Sequence, residues 1–398
     1  MELGKSMENQ TDVMVLLAKH VIATVANGSN LVFSPMSINV LLCLIAAGSN
    51  CVTKEQILSF IMLPSSDYLN AVLAKTVSVA LNDGMERSDL HLSTAYGVWI
   101  DKSLSFKPSF KDLLENSYNA TCNQVDFATK PAEVINEVNA WAEVHTNGLI
   151  KEILSDDSIK TIRESMLILA NAVYFKGAWN KIFDAKLTKS YDFHLLDGTM
   201  VKVPFMTNYK KQYLEYYDGF KVLRLPYVED QRQFAMYIYL PNDRDGLPTL
   251  LEEISSKPRF LDNHIPRQRI LTEAFKIPKF KFSFEFKASD VLKEMGLTLP
   301  FTHGSLTEMV ESPSIPENLC VAENLYVSNV FHKACIEVDE EGTEAAAVSV
   351  ASMTKDMLLM GDFVADHPFL FTVREEKSGV RKSATEIRLL VSKNKTDI

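Results

Sequence analysis

Cysteine is scarce and scattered. Cys43, Cys51, Cys122, Cys320 and Cys335 form no Cys-x-x-Cys pair, which excludes a zinc ribbon, a dithiol redox centre and a small disulfide scaffold. Glycine and proline number 15 each among 398 residues, too few for a collagen-like or low-complexity chain. The longest apolar run, residues 40–47, is eight residues, against roughly 18 for a membrane-spanning helix, so no membrane partner is expected. A basic block is also missing. Lys plus Arg is 41 against 51 for Asp plus Glu, a net charge of −10, which suits nucleic-acid phosphates poorly. The opening residues are polar, and the apolar stretch 13–26 is interrupted by Lys19 and His20, unlike the unbroken core of a secretory signal. A cytoplasmic location is therefore expected, with an extracellular one as the alternative.

What remains is ordinary globular material. The hydrophobic fraction is 46% and the charged fraction 23%, enough apolar side chain for a large core. Apolar positions recur at helical spacing up to about residue 154, as in Phe110, Leu113, Leu114 and Val134, Ile135, Val138, Trp141. From residue 166 the pattern turns to strand-type runs: MLILANAVYF (166–175), FAMYIYLP (234–241) and FKIPKFKFSFEF (275–286). Short helical inserts follow at 249–254 and 288–296. At roughly 150 residues per domain the length would allow two or three domains. No linker divides it, however, and helices first with strands later predict one α+β domain.

Enzyme motifs fail. There is no His-Glu-x-x-His and no Gly-x-Ser-x-Gly. Gly4-Lys5-Ser6 lacks the upstream glycine of a phosphate loop, and Asp243-Arg244-Asp245-Gly246 follows Pro241, which makes a turn a better reading than a calcium loop. Ser34 and His332 are hydrolase ingredients, but a lone Ser and a lone His in apolar surroundings read as hydrogen-bonded core residues. No cofactor, no metal site and no catalytic residue are expected.

One segment is unusual. A strand-like run, 334–338, ends in Asp339, Glu340, Glu341 and Gly342, followed by small residues from Thr343 to Ser352. Its alanine content favours a helix. As a strand, one face would carry Thr343, Ala345, Ala347, Ser349, Ala351 and Met353, all small but the last, and could enter between existing strands without overpacking.

This segment resembles the hinge and reactive-centre loop of a serpin, and the similarity extends along the chain. The motifs are NLVFSPMSI (30–38), Ala46-Ala47-Gly48, LANAVYFKGAW (169–179), VKVPFM (201–206), Pro278-Lys279-Phe280 and DHPFLF (366–371). FVADHPF (363–369) and EEGTEA (340–345) look most like plant serpins. The resemblance implies the serpin fold: N-terminal helices packed on a large central sheet, smaller sheets and an exposed loop, as a single domain over 1–398 with a core of about 12–380 and a divergent tail, 381–398. It implies a monomer that inhibits a serine or cysteine endopeptidase covalently, by inserting its cleaved loop as an extra strand. It assigns Glu341, Gly342, Thr343, Glu344, Ala345, Ala346 and Ala347 to the hinge. Ser34, Ser37, Asn171 and His332 match the polar shutter under the point where the sheet parts, and Trp179 the breach where insertion starts. Counting fourteen residues from Gly342, as in inhibitory members, places the scissile bond at Asp356-Met357, with Lys355-Asp356 as the alternative; the two demand oppositely charged protease pockets.

The end of the chain departs from the family. Arg381 and Lys382 fall where buried apolar residues are expected, and burying either unpaired would be expensive. Residues 387–391 could substitute after a register slip. An altered gene model or splice product makes an abrupt change of this kind. The altered end opens the alternative of a serpin-fold protein that does not inhibit.

Overall fold

A computed structural model describes residues 13, 15–26, 29–63, 65, 90–228, 233–311, 325–340, 361–376 and 385–390. Strand β1 (Leu31–Val32) leads into helix α1 (Pro35–Ala47). Ser34 starts that helix, its hydroxyl accepting from Ser37 N–H, with Pro35 in the first turn where no N–H is needed. Residues 35–46 of α1 are all buried, so this is a core helix. Helix α2 (Cys51–Phe60) is capped in the same way by Asn50.

The half expected to be helical also holds strands β2 (Leu90–Asp101) and β3 (Ala120–Val125) ahead of helix α3 (Pro131–His145). The order is therefore not simply helices first. Interior β2 is covered on both sides at Ala95, Tyr96, Val98 and Trp99, so the alternation that advertises a half-exposed strand is missing.

Strand β4 (Leu167–Gly177) is buried at every position except Lys176. Its Leu167 and Leu169 join the cluster around α1, while Ile168, Ala170, Ala172 and Tyr174 pack with Val134, Val138 and Trp141 of α3. Then come β5 (Lys189–His194), β6 (Met200–Met206), β7 (Gln212–Tyr217), β8 (Phe220–Pro226) and β9 (Phe234–Pro241). A turn closed by Gly246 N–H to Asp243 O (3.0 Å) opens helix α4 (Leu247–Ser256), as the sequence suggested.

The run 275–286 is two strands rather than one. β10 (Arg269–Ile270) and β11 (Thr272–Pro278) precede the break, and β12 (Phe280–Lys287) follows it. Pro278 has no N–H to extend its ladder, and Lys279 N–H turns instead to Pro204 O (2.8 Å). Phe275 and Ile277 before the break share one cluster with Phe280 and Phe282 after it, so the two strands wrap the same core from different sheets. Helix α5 (Ala288–Glu294), β13 (Asn329–Val338), β14 (Gly361–Val364), β15 (Phe369–Glu375) and β16 (Thr385–Leu390) follow.

The strands form three sheets, ordered β12-β13-β4-β2-β3, β14-β11-β6-β5 and β1-β16-β15-β9-β8-β7-β10. The fold is mixed α+β, as expected. In the first sheet β12 and β13 are antiparallel, as are β4 and β2, but the central pair β13 and β4 runs parallel from Asn329↔Ile168 to Glu337↔Lys176. In the third sheet β16 lies between β1 and β15, with Leu389 opposite both Leu31 and Leu370. The altered end thus supplies a strand at residues 385–390; Arg381 and Lys382 lie outside the described residues.

Candidate functional site

The parallel β13/β4 pair is held by two sets of polar side chains. The lower set crosses the sheet. Ser34, Ser37, Asn171 and His332 are fully buried, and the register sets His332 directly opposite Asn171. The Ser34 backbone N–H donates to His332 Nε2 (3.1 Å). An N–H can only donate, so Nε2 is the acceptor and Nδ1 carries the proton, which it donates to Asn171 Oδ1 (2.8 Å). Asn171 Nδ2 in turn donates to Ala95 O on β2 (2.8 Å). The relay ties the start of α1 to three neighbouring strands. It is not a nucleophile and base: the Ser34 hydroxyl faces Ser37 N–H (3.2 Å), not the imidazole. Phe33 and Phe286 meet the His332 ring edge-on, with centroids at 6.4 and 5.5 Å.

The upper set grips the end of β13. Lys176 on β4 reaches Glu337 (2.8 Å) and Asp339 (2.9 Å), and Lys281 on β12 reaches Glu337 (2.8 Å). Lys279 pairs with Glu340, whose other oxygen accepts from Thr188 Oγ1 (2.6 Å). Burial works against the Glu337 carboxylate, but the ammonium groups of Lys176 and Lys281 outweigh it and hold its pKa down at about 2. Glu340 is likewise lowered, its burial overcome by Lys279 and Thr188. Trp179, only 2% exposed, donates its indole N–H to Asp339 O (2.8 Å) and stacks on Tyr227 with centroids 4.5 Å apart and planes at 12°.

The hinge residues Glu341, Gly342, Thr343, Glu344, Ala345, Ala346 and Ala347 and the loop residues Lys355, Asp356 and Met357 lie outside the described residues. The structure brings Ser34, Asn171 and His332 into one relay, keeps Ser37 beside Ser34, and puts Trp179 at the other end of the same strand pair. Sequence reasoning missed the three lysines. Their signal was a Lys following or alternating with apolar residues, in YFK (174–176) and PKFKF (278–282), opposite the acidic end of another strand. Among the described residues no group of three His, Cys, Asp or Glu side chains could hold a metal ion.

Comparison with known proteins fits this geometry. A profile of the family "Serpin (serine protease inhibitor)" matches residues 8–381, and the chain belongs to that family, whose members are protease inhibitors rather than enzymes. Plant proteins are among its relatives. It is 99% identical over 380 residues to Serpin-Z4 of Arabidopsis thaliana, covering 96% of this chain and 97% of that one. It is 71% identical over 382 residues to Serpin-Z10 of the same plant, again covering 96% and 97%. Among solved structures it resembles Arabidopsis AtSerpin1 in its native stressed conformation, with a TM-score of 0.89 and 54% identity over 98% of this chain and 99% of that one.

Proposed function

We propose that this chain inhibits serine or cysteine endopeptidases as a suicide substrate, inserting residues 343–353 between β4 and β13 after cleavage. The observation that carries the reading is the direction of that strand pair. β13 and β4 are parallel, and a segment turning back just beyond Glu340 runs antiparallel to both. One parallel ladder is thereby exchanged for two antiparallel ones, the slightly stronger kind of pairing. The lengths agree as well: β4 has eleven residues, as does the segment 343–353. Loop insertion into a sheet is a named form of strand addition and of strain release.

The reactive bond in this reading is Asp356-Met357, which suits a protease that cuts after Asp; Lys355-Asp356, suited to basic-specific enzymes, is the alternative. The protein acts as a monomer in the cytoplasm. Incubation with a panel of serine and cysteine endopeptidases tests it. An SDS-stable complex with the protease attached at residue 356 or 355 is the expected result. Thr343→Arg, which puts a charge at the first residue to enter, should convert inhibitor into substrate. Unchanged inhibition by that variant would refute insertion.

A second reading rests on the family match ending at residue 381. The divergent end leaves a serpin-fold protein that is cleaved without trapping its protease. Loop cleavage with neither complex nor gain in thermal stability would favour it.

A further inference from the structure

The segment following β4 meets β7, β8 and β10 at a small, open cleft behind Trp179. Trp179, Phe183 and Tyr213 form its aromatic wall, and Lys181, Lys211 and Arg269 bring cations to it. The Arg269 guanidinium carbon lies 4.4 Å from the Tyr213 ring centroid, and that of Arg224 lies 4.7 Å from it. The two arginines differ in one respect. Arg224 is held by both oxygens of Glu376. Among the described residues no carboxylate pairs with Arg269, Lys181, Lys211 or the adjoining Lys210, although the chain has 51 acidic residues and a net charge of −10. Burial, then the charges of Arg269 and Lys210, push the Lys181 ammonium below its ordinary pKa.

Cations gathered at a cleft, Lys181 half-buried and Lys211 and Arg269 exposed at its rim, repel one another, at a cost that one multivalent anion would cancel. Arg supplies a planar donor fork suited to a phosphoryl group, and Lys a compact charge. Asn180, Asn208 and Gln212 add polar side chains to the lining.

We propose that this cleft binds a small multivalent oxyanion of the phosphate type through Lys181, Lys211 and Arg269. Occupancy stabilises the native protein by mass action. It braces the same Trp179 whose indole N–H holds Asp339 O, beside the strand end from which the loop departs.

Inorganic pyrophosphate is the probe, titrated calorimetrically into the full chain with chloride matching the ionic strength. Saturable binding at one site and a rising thermal midpoint are expected. Lys181→Met and Arg269→Gln should each weaken binding by about 10-fold or more, roughly 1.4 kcal/mol. Lys160→Met, an exposed lysine elsewhere, should bind as the parent does. Lys181→Met should also melt no lower than the parent without anion, because it relieves repulsion; a merely structural lysine would lower the midpoint. If either variant fails to fold, as judged by circular dichroism, Lys211→Gln gives the same reading. No saturable binding by the parent into the millimolar range, or undiminished binding by the variants that fold, would overturn the proposal.

Discussion

His332 shows how one side chain can join a helix start to a sheet. Its imidazole accepts from Ser34 N–H and donates to Asn171 Oδ1 in a site with no solvent exposure. Replacing it with Ala would leave that N–H and that oxygen without their partner, at a cost of about 1–3 kcal/mol. His332→Ala should therefore lower the midpoint of urea unfolding, and His332→Gln, which keeps a donor and an acceptor, should lower it less; equal stability of all three proteins would contradict the relay. At the other end of the strand pair the chemistry is ionic and has a pH signature. Glu337 titrates at about 2 instead of its ordinary 4.5. Its ionised form stabilises the fold above pH 4.5, and that contribution is lost as pH falls from 4.5 towards 2. Glu337→Gln should be less stable than the parent at neutral pH, with the gap closing over that acid range; a gap independent of pH would contradict the clasp. Ser34, Asn171 and His332 were legible in the sequence as polar residues within apolar motifs. Lys176, Lys279 and Lys281 were not, since an exposed-looking lysine shows its partner only once β4, β12 and β13 are side by side.

At the scale of elements, local periodicity identified β4, β9 and the strand-like stretch 334–338, and it placed α4 and α5. It read 275–286 as one strand because Pro278 interrupts a hydrogen-bond ladder without interrupting the Phe spacing. It also missed β2, since an interior strand covered on both faces loses the period of two, and the edge strand β3, six residues long and buried only at its two ends. The altered C-terminus makes a different point. β16 pairs with β15 at six positions, Phe369 to Arg374, and with β1 at two. Removing residues 385–398 would strip partners from buried backbone along Phe369–Arg374, at about 1–3 kcal/mol for each unpaired group, against a total stability of about 5–15 kcal/mol. A chain ending at residue 384 should accordingly elute as aggregate in size-exclusion chromatography. A folded monomer would show that the strand is dispensable and that the divergent end has no part in folding.

Taken whole, the molecule joins a sheet with a parallel seam to a small-residue segment of matching length. The seam comprises nine paired positions from Asn329↔Ile168 to Glu337↔Lys176. It is fastened by the buried relay at its fourth pair, His332↔Asn171, and by the lysine–carboxylate clasp at its far end. In the proposed insertion both fastenings would have to be undone, and the two antiparallel ladders created would offset the cost. The family was legible from long motifs in order along the chain, but the seam's direction was not, because strand order is set by contacts far apart in sequence. Amide hydrogen exchange across residues 343–353, measured before and after loop cleavage by a target protease, tests insertion most directly. The account predicts that these amides pass from fast exchange to the protection of a central strand, together with a rise in the thermal midpoint. Continued fast exchange in the cleaved protein would contradict it.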